Sequence, residues 1–296
     1  MAESTSTSLA SVIQPETILE ARLAFQKNAL IPSLVRLANL TGMPTNTASF
    51  PVFDTAAVTK PAAETTDVTT NSTITPTDVT LTVLRRTVRI DPSDLALSAW
   101  TDAVPAPVRL GQIMGNARAK VVDQDILGVM TTNYTSSVGA TNSTDVSFLM
   151  VNTALLTLET NEADSNLALV LHSKQFFHLR GDLIIVSGTA DSSDKSQQGS
   201  EAMNTGKIVN LFGARVVVTN RVGTGTDTNA MYLGMIGYLS EAIGYAIKNV
   251  NAQLGRPEIE LQRDASKGLD EFVMNYYDKA GIIRADGLCL VKSQTY

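Results

Sequence analysis

Val79-Thr80-Leu81-Thr82-Val83 alternates apolar and hydroxyl side chains with the period of two that a pleated strand imposes, and Arg85-Arg86-Thr87-Val88-Arg89-Ile90 carries the β-rich pattern onward with charge. Upstream, residues 48–53 read as a partner strand. Between the two, residues 55–77 are dominated by Thr, Ala and Pro and lack apolar periodicity, so they form a tip. The two strands and their tip predict one long hairpin. About 14 residues a side at roughly 3.3 Å each reach on the order of 45 Å, whereas a globule of this length has a radius of gyration near 19 Å, a rough scale. An arm with that reach and so little apolar patterning cannot be tucked into its own core. It is expected to project and to lie on another molecule.

On the N-terminal side, residues 4–11 read as a flexible arm, Pro15-Glu16 opens a helix running to about residue 30, and Pro32 interrupts it. Thr41-Gly42-Met43-Pro44 is a turn cluster. On the C-terminal side, Pro105 and Pro107 precede a long helix to residue 130, with Leu110, Ile113, Met114, Ala117, Val121, Ile126 and Val129 on a drifting face. Its roughly 24 residues would span about 36 Å, although Gly111, Gly115 and Gly128 lower its helix propensity. A polar loop over 134–143 leads to Thr144-Asp145, expected to cap a helix with Phe148, Val151, Leu155 and Leu158 on one face. Residues 167–171 read as a buried strand, 173–180 as a short helix and 187–206 as a polar loop. Residues 207–218 read as strand, Gly turn, strand; 230–250 as further sheet; and 258–261, 272–277 and 287–291 as closing strands, with Asp278-Lys279-Ala280-Gly281 as a turn between the last two. No internal repeat or interdomain linker is visible.

The chain has 296 residues, 44% of them hydrophobic, enough for one large or two modest domains. Its formal net charge of −6 provides no general positive field for nucleic acid. The Ser/Thr-rich start has no basic and apolar leader pattern and no stretch approaches 18 apolar residues, so neither secretion nor a membrane span is expected. Cys289, the single cysteine, lies in Leu288-Cys289-Leu290-Val291 and is expected to be buried in a strand; no internal disulfide can form, which fits a reducing compartment.

Candidate chemistry is sparse. His172 and His178 are six apart, a poor spacing for shared metal ligation. Gly223-Thr224-Gly225-Thr226 lacks the Lys-Ser/Thr of a phosphate loop, and no G-x-S-x-G elbow is present. Lys120, Asp123 and Asp125 are read as a polar face of the long helix, solvated or turned to another subunit. Arg85, Arg86 and Arg89 form the densest basic cluster; without interleaved aromatics they are expected to make salt bridges to another protein chain rather than to bind nucleic acid. No enzyme activity, cofactor or metal is expected.

The order of elements, with Leu211-Phe212-Gly213-Ala214-Arg215-Val216-Val217-Val218-Thr219-Asn220 and Tyr276-Tyr277-Asp278-Lys279-Ala280-Gly281-Ile282-Ile283-Arg284-Ala285-Asp286, resembles the major capsid proteins of tailed bacteriophages. The resemblance implies an α+β fold of the Hong Kong 97 type. Its parts would be an N-terminal arm and helix (1–47), an extended E-loop hairpin (48–90), a peripheral (P) domain (91–134 and 255–296) containing a long spine helix, and an axial (A) domain (135–254). It also implies self-assembly into hexamers and pentamers of an icosahedral shell enclosing double-stranded DNA, which is held non-specifically. A separate scaffolding protein, a portal and a decoration protein would be partners, with assembly in the host bacterial cytoplasm and residence in the virion head. Lys60, Arg85, Arg86 and Arg89 would be intersubunit contacts of the E-loop. Some relatives cross-link a hairpin lysine to a neighbour's asparagine, but Lys60 stands in polar Val58-Thr59-Lys60-Pro61-Ala62 with nothing bulky to desolvate its amine. Asn275, with Glu271 nearby, is a weak partner, so no cross-link is expected. The alternatives are an encapsulin-like bacterial compartment, which shares the fold, and a Thr-rich adhesin or tail module, which the helices contradict.

Overall fold

The computed structural model of the chain describes residues 6–53, 76–100, 104–139, 145–162, 166–187, 208–225 and 231–294. In order these form α1 (Ser6–Asn28), β1 (Arg36–Asn39), β2 (Thr47–Val52), β3 (Thr77–Thr82), β4 (Leu84–Ile90), α2 (Asp94–Ser98), α3 (Ala106–Thr132), β5 (Ser136–Val138), α4 (Phe148–Thr160), β6 (Ala168–Leu171), α5 (Ser173–Ser187), β7 (Asn210–Leu211), β8 (Ala214–Val218), β9 (Thr224–Gly225), β10 (Met231–Gly237), β11 (Ile243–Lys248), β12 (Ile259–Asp264), β13 (Leu269–Ile282) and β14 (Leu288–Gln294).

The long helix is α3, and two of its glycines have a packing role. A Cβ at Gly111 or Gly115 would overlap the backbone carbonyl of Thr17 or Ala21 on α1, which runs parallel to α3 at close approach. Each glycine costs about 1 kcal/mol of helix propensity, offset by the tight seam it permits. Helix α1 begins at Ser6 rather than at Pro15, which lies inside it, so the flexible arm expected over 4–11 is helical from residue 6. A proline there forfeits one helical hydrogen bond; two residues beyond it, Thr17 is fully buried.

Below the helices lies a five-stranded sheet in the order β1-β11-β13-β12, with β4 also on β13. Strand β13 is its spine: residues 272–278 pair with β4 on one side, while β12 and β11 share the other. Phe272, Met274, Tyr276, Asp278 and Ala280 alternate inward, toward a core that includes Met114, Ile126 and Met130 of α3. The turn expected at 278–281 is therefore absent, and the strand runs straight through it. Pairing with β11 along the whole of 278–281, joined by β4 at Asp278, outweighs the local turn composition there. The chain reverses instead through the 3-10 turn Ala285–Gly287.

A second sheet runs β5-β14-β10-β6-β8-β7, with β9 on β10, and is packed by α4 and α5 around Leu155, Leu158, Leu169, Leu179, Ile236 and Cys289. Cys289 is fully buried in β14 as expected. The Gly turn between β7 and β8 is Phe212-Gly213, both with positive φ (48° and 80°), which matches the twist of a tight two-residue hairpin. Three local expectations change. Ser147, not Thr144-Asp145, caps α4, its hydroxyl accepting from the Met150 amide; β5 occupies part of the expected polar loop; and α5 extends to Ser187.

After passing from β4 through α3 into β5, the chain crosses between the two sheets twice more at adjacent places, from β10 into β11 and from β13 into β14. Tyr238 N–H donates to the Gly287 carbonyl and Ile283 N–H to that of Ala242, stitching the crossings together. This explains the missing linker. It also moves two strands relative to the expected boundaries: β11 (within 135–254) lies in the first sheet, and β14 (within 255–296) in the second.

Among the described residues, strands β2 and β3 pair only with each other, in a two-stranded sheet that packs on the face of the first sheet away from the helices. The hairpin expected over 48–90 is thus shorter at its base, because β4 belongs to the first sheet. Residues 54–75, including Lys60, lie outside the described residues.

Candidate functional site

Strand β4 presents its arginines to opposite faces. Arg86, opposite Tyr276, points to α3, while Arg85, Thr87 and Arg89, opposite Tyr277, Asn275 and Val273, face away. The outward set is held locally. Arg85 Nε and Thr87 Oγ1 donate to Asn275 Oδ1 at 3.2 and 2.8 Å, and Arg89 pairs with Asp91 and with Glu271 at 2.8 and 2.7 Å. Asn275 and Glu271, the candidates for a cross-link partner and its base, are engaged by these neighbours. Arg89 keeps half its side chain exposed.

The inward arginine joins a polar node between helix and sheet. The Arg86 guanidinium lies 2.8 Å from Asp278 Oδ1 and also against Asp125 of α3, as charge contacts rather than well-directed hydrogen bonds. Tyr245 Oη donates to Asp278 Oδ2 at 2.9 Å. Arg118 stacks between Phe25 of α1 and Tyr276, 4.4 and 4.9 Å from the ring centroids. Burial pushes the Asp278 carboxyl above its usual range, with the Tyr245 hydroxyl and the Arg86 charge opposing the shift. Burial likewise raises Tyr245 and Tyr276. Two arginines and two aspartates balance in charge and tie α3, α1, β4, β11 and β13 together. This node bonds elements and presents no nucleophile beside a free base.

Asp123 overturns its reading as part of a polar face. It is fully buried, accepts from the Leu30 and Ile31 amides at 3.2 Å, and pairs with Arg221 Nη1 at 2.5 Å. Arg221 Nη1 also reaches the Asn28 and Ala119 carbonyls at 2.7 and 3.3 Å. This clasp fixes the C-terminal end of α1 to α3. The signal was present in the spacing: Ala119, Ile126 and Met130 stand at −4, +3 and +7 from Asp123, the repeat of one helical face, and all three are buried. Lys120 is exposed and Asp125 about one-third exposed, so the three residues share no face.

In the second sheet His172 stacks on Tyr232, centroids 3.9 Å apart, and burial lowers its pKa. His178 lies 3.4 Å from Asp145. Among the described residues no group of three or more His, Cys, Asp or Glu side chains could hold a metal ion, and no helix is long and apolar enough to cross a membrane.

The family described as phage capsid protein matches residues 102–293, more than half of the chain. The chain belongs to that family. Among solved structures it is similar to a chain of Mycobacterium phage Che8 (19% identity, TM-score 0.65, covering 89% of this chain and 90% of the other) and to the capsid of Ralstonia phage GP4 (9% identity, TM-score 0.65, 91% and 92%). It is also similar to a virus-like particle from Pyrococcus furiosus (10% identity, TM-score 0.57, 94% and 98%). At these identities the likeness concerns the fold, which is the α+β Hong Kong 97 type. No match was found among curated protein sequences.

Proposed function

We propose that this capsid protein is the shell subunit of a phage head, assembling into hexamers and pentamers that close around double-stranded DNA. The observation that carries the reading is the family match combined with a hairpin root, β2 and β3, that pairs with no described strand of the body sheets. Shell subunits sharing several such contacts are held collectively, because each must break several interfaces to leave. The helix-backed sheet with β11 and β13 serves as the peripheral part and the β14-containing sheet as the axial part. Lys60 and the outward Arg85 and Arg89 meet neighbouring subunits, whereas Arg86 is committed inward. A separate scaffolding protein, a portal and a decoration protein are the accompanying partners, and assembly takes place in the bacterial cytoplasm.

Co-expression with the scaffolding protein, followed by sedimentation and negative-stain electron microscopy, tests this. Closed particles of many megadaltons with nuclease-protected DNA after packaging are expected, running as one uncross-linked band in denaturing detergent. A well-behaved monomer or small dimer under those conditions defeats the proposal.

A further inference from the structure

The hairpin root meets the body at a place built for it. Gly244 of β11 and Gly281 of β13 are directly paired across the sheet, so two adjacent positions on its outer face carry no side chain. Phe50 of β2 and Leu81 of β3 fill that gap. A Cβ at Gly281 would overlap Leu81 Cδ2, and one at Gly244 would stand 3.0 Å from Phe50 Cε2 and Cζ. Both Phe50 and Leu81 are buried, in a cluster with Leu40, Ala48, Val83 and Ala246 that is separate from the two main cores.

Beside this seat lies Lys248, the last residue of β11, which is 6% exposed. Its Nζ donates to the Met43 carbonyl, the Thr45 carbonyl and Asn46 Oδ1, each at 2.9 Å. These three acceptors use all three ammonium donors, and all belong to the turn from which β2 emerges. Burying an ammonium against uncharged acceptors is costly unless its donors are satisfied. Here they are satisfied by the segment that launches the hairpin.

We propose that the Gly244–Gly281 pair and Lys248 form a socket that sets the angle of the hairpin arm, and that these three are positioning residues for the intersubunit reach of the subunit. The importance of that reach rests on the shell reading above; the socket itself is a property of one chain. Leverage makes the root the place to control. A tilt of about 10° there would move a point about 45 Å away, the reach expected from strand rise, by about 8 Å. That is enough to miss a side-chain partner.

Spin labels at Thr77→Cys on the hairpin and Lys120→Cys on the exposed side of α3 read the angle by pulsed dipolar spectroscopy. The full chain is used, diluted with unlabelled chain so that only intrachain distances register. Cys289 is fully buried and does not compete for label. The parent should give one narrow distance distribution. Gly281→Ala should displace it, and adding Leu81→Ala, which removes the overlapping methyls, should restore the parental mean. Lys248→Met should broaden it without introducing bulk and decides the question if Gly281→Ala does not fold. An unchanged distribution in Lys248→Met, or a displacement by Gly281→Ala that Leu81→Ala fails to reverse, overturns the socket. Failure of the parent chain to form particles would instead overturn the shell reading, so the two can fail separately.

Discussion

At Asp123 a single, fully buried carboxylate serves two backbone amides and one arginine. Asp123→Ala would leave Arg221 and the Leu30 and Ile31 amides without their anion. Breaking one side of a buried pair costs about 3–5 kcal/mol, and urea unfolding of the variant should show a loss of that order. The partly buried carboxylate of Asp264 behaves differently. Hydrogen bonds from the Ser266 hydroxyl and from Lys267 hold the Asp264 carboxyl down to about 2, against an ordinary 3.8. A folded-state value below the unfolded one means that its contribution is complete above about pH 4 and is lost as pH falls toward 2. The melting temperature of Asp264→Asn should therefore fall less steeply than that of the parent between pH 4 and pH 2. Asp278 has the opposite sign: its raised value favours the folded state below its unfolded value, and that contribution is lost as pH rises through the folded one.

Glycine separates the elements that touch from those that do not. Gly115 and Gly128 sit on the same helix, yet a Cβ at Gly115 would overlap α1 and one at Gly128 meets nothing within 4 Å. Gly115→Ala should destabilise the fold by forcing α1 and α3 apart, despite the better helix propensity of alanine. Gly128→Ala should stabilise it by up to about 1 kcal/mol. Thermal melts of the two variants should move in opposite directions; shifts of the same sign would show that the α1–α3 seam does not depend on Gly115. Strand β13 makes a related point. Asp278-Lys279-Ala280-Gly281 has turn composition, yet Gly281 is bare to admit Leu81 and Asp278 is buried to meet Arg86 and Tyr245. In both cases the local residue choice answers a neighbour distant in sequence.

For the whole molecule, the hairpin root and the body share a core, whereas residues 56–76 have little apolar periodicity to contribute to one. Replacing 56–76 by a short Gly-Ser turn should leave circular dichroism and the melting temperature nearly unchanged while abolishing closed particles in sedimentation. Loss of the fold itself would place that segment in the core.

The periodicities of the sequence determined the long helix, the β2 and β3 strands at the root of the hairpin, the buried strand at Ala168–Leu171, the Phe212-Gly213 turn and the burial of Cys289, because each follows from contacts within a few residues or from side-chain chemistry. The order of these elements also carried the family resemblance. Only the tertiary structure decided that β4 leaves the hairpin for the main sheet, that β11 and β14 exchange sheets relative to the expected boundaries, and that Asp123 and Lys248 are interior. Strand partnership and the burial of a charge depend on groups brought together from distant parts of the chain. Lys248 lies some two hundred residues from the turn it holds, and no local pattern encodes that meeting.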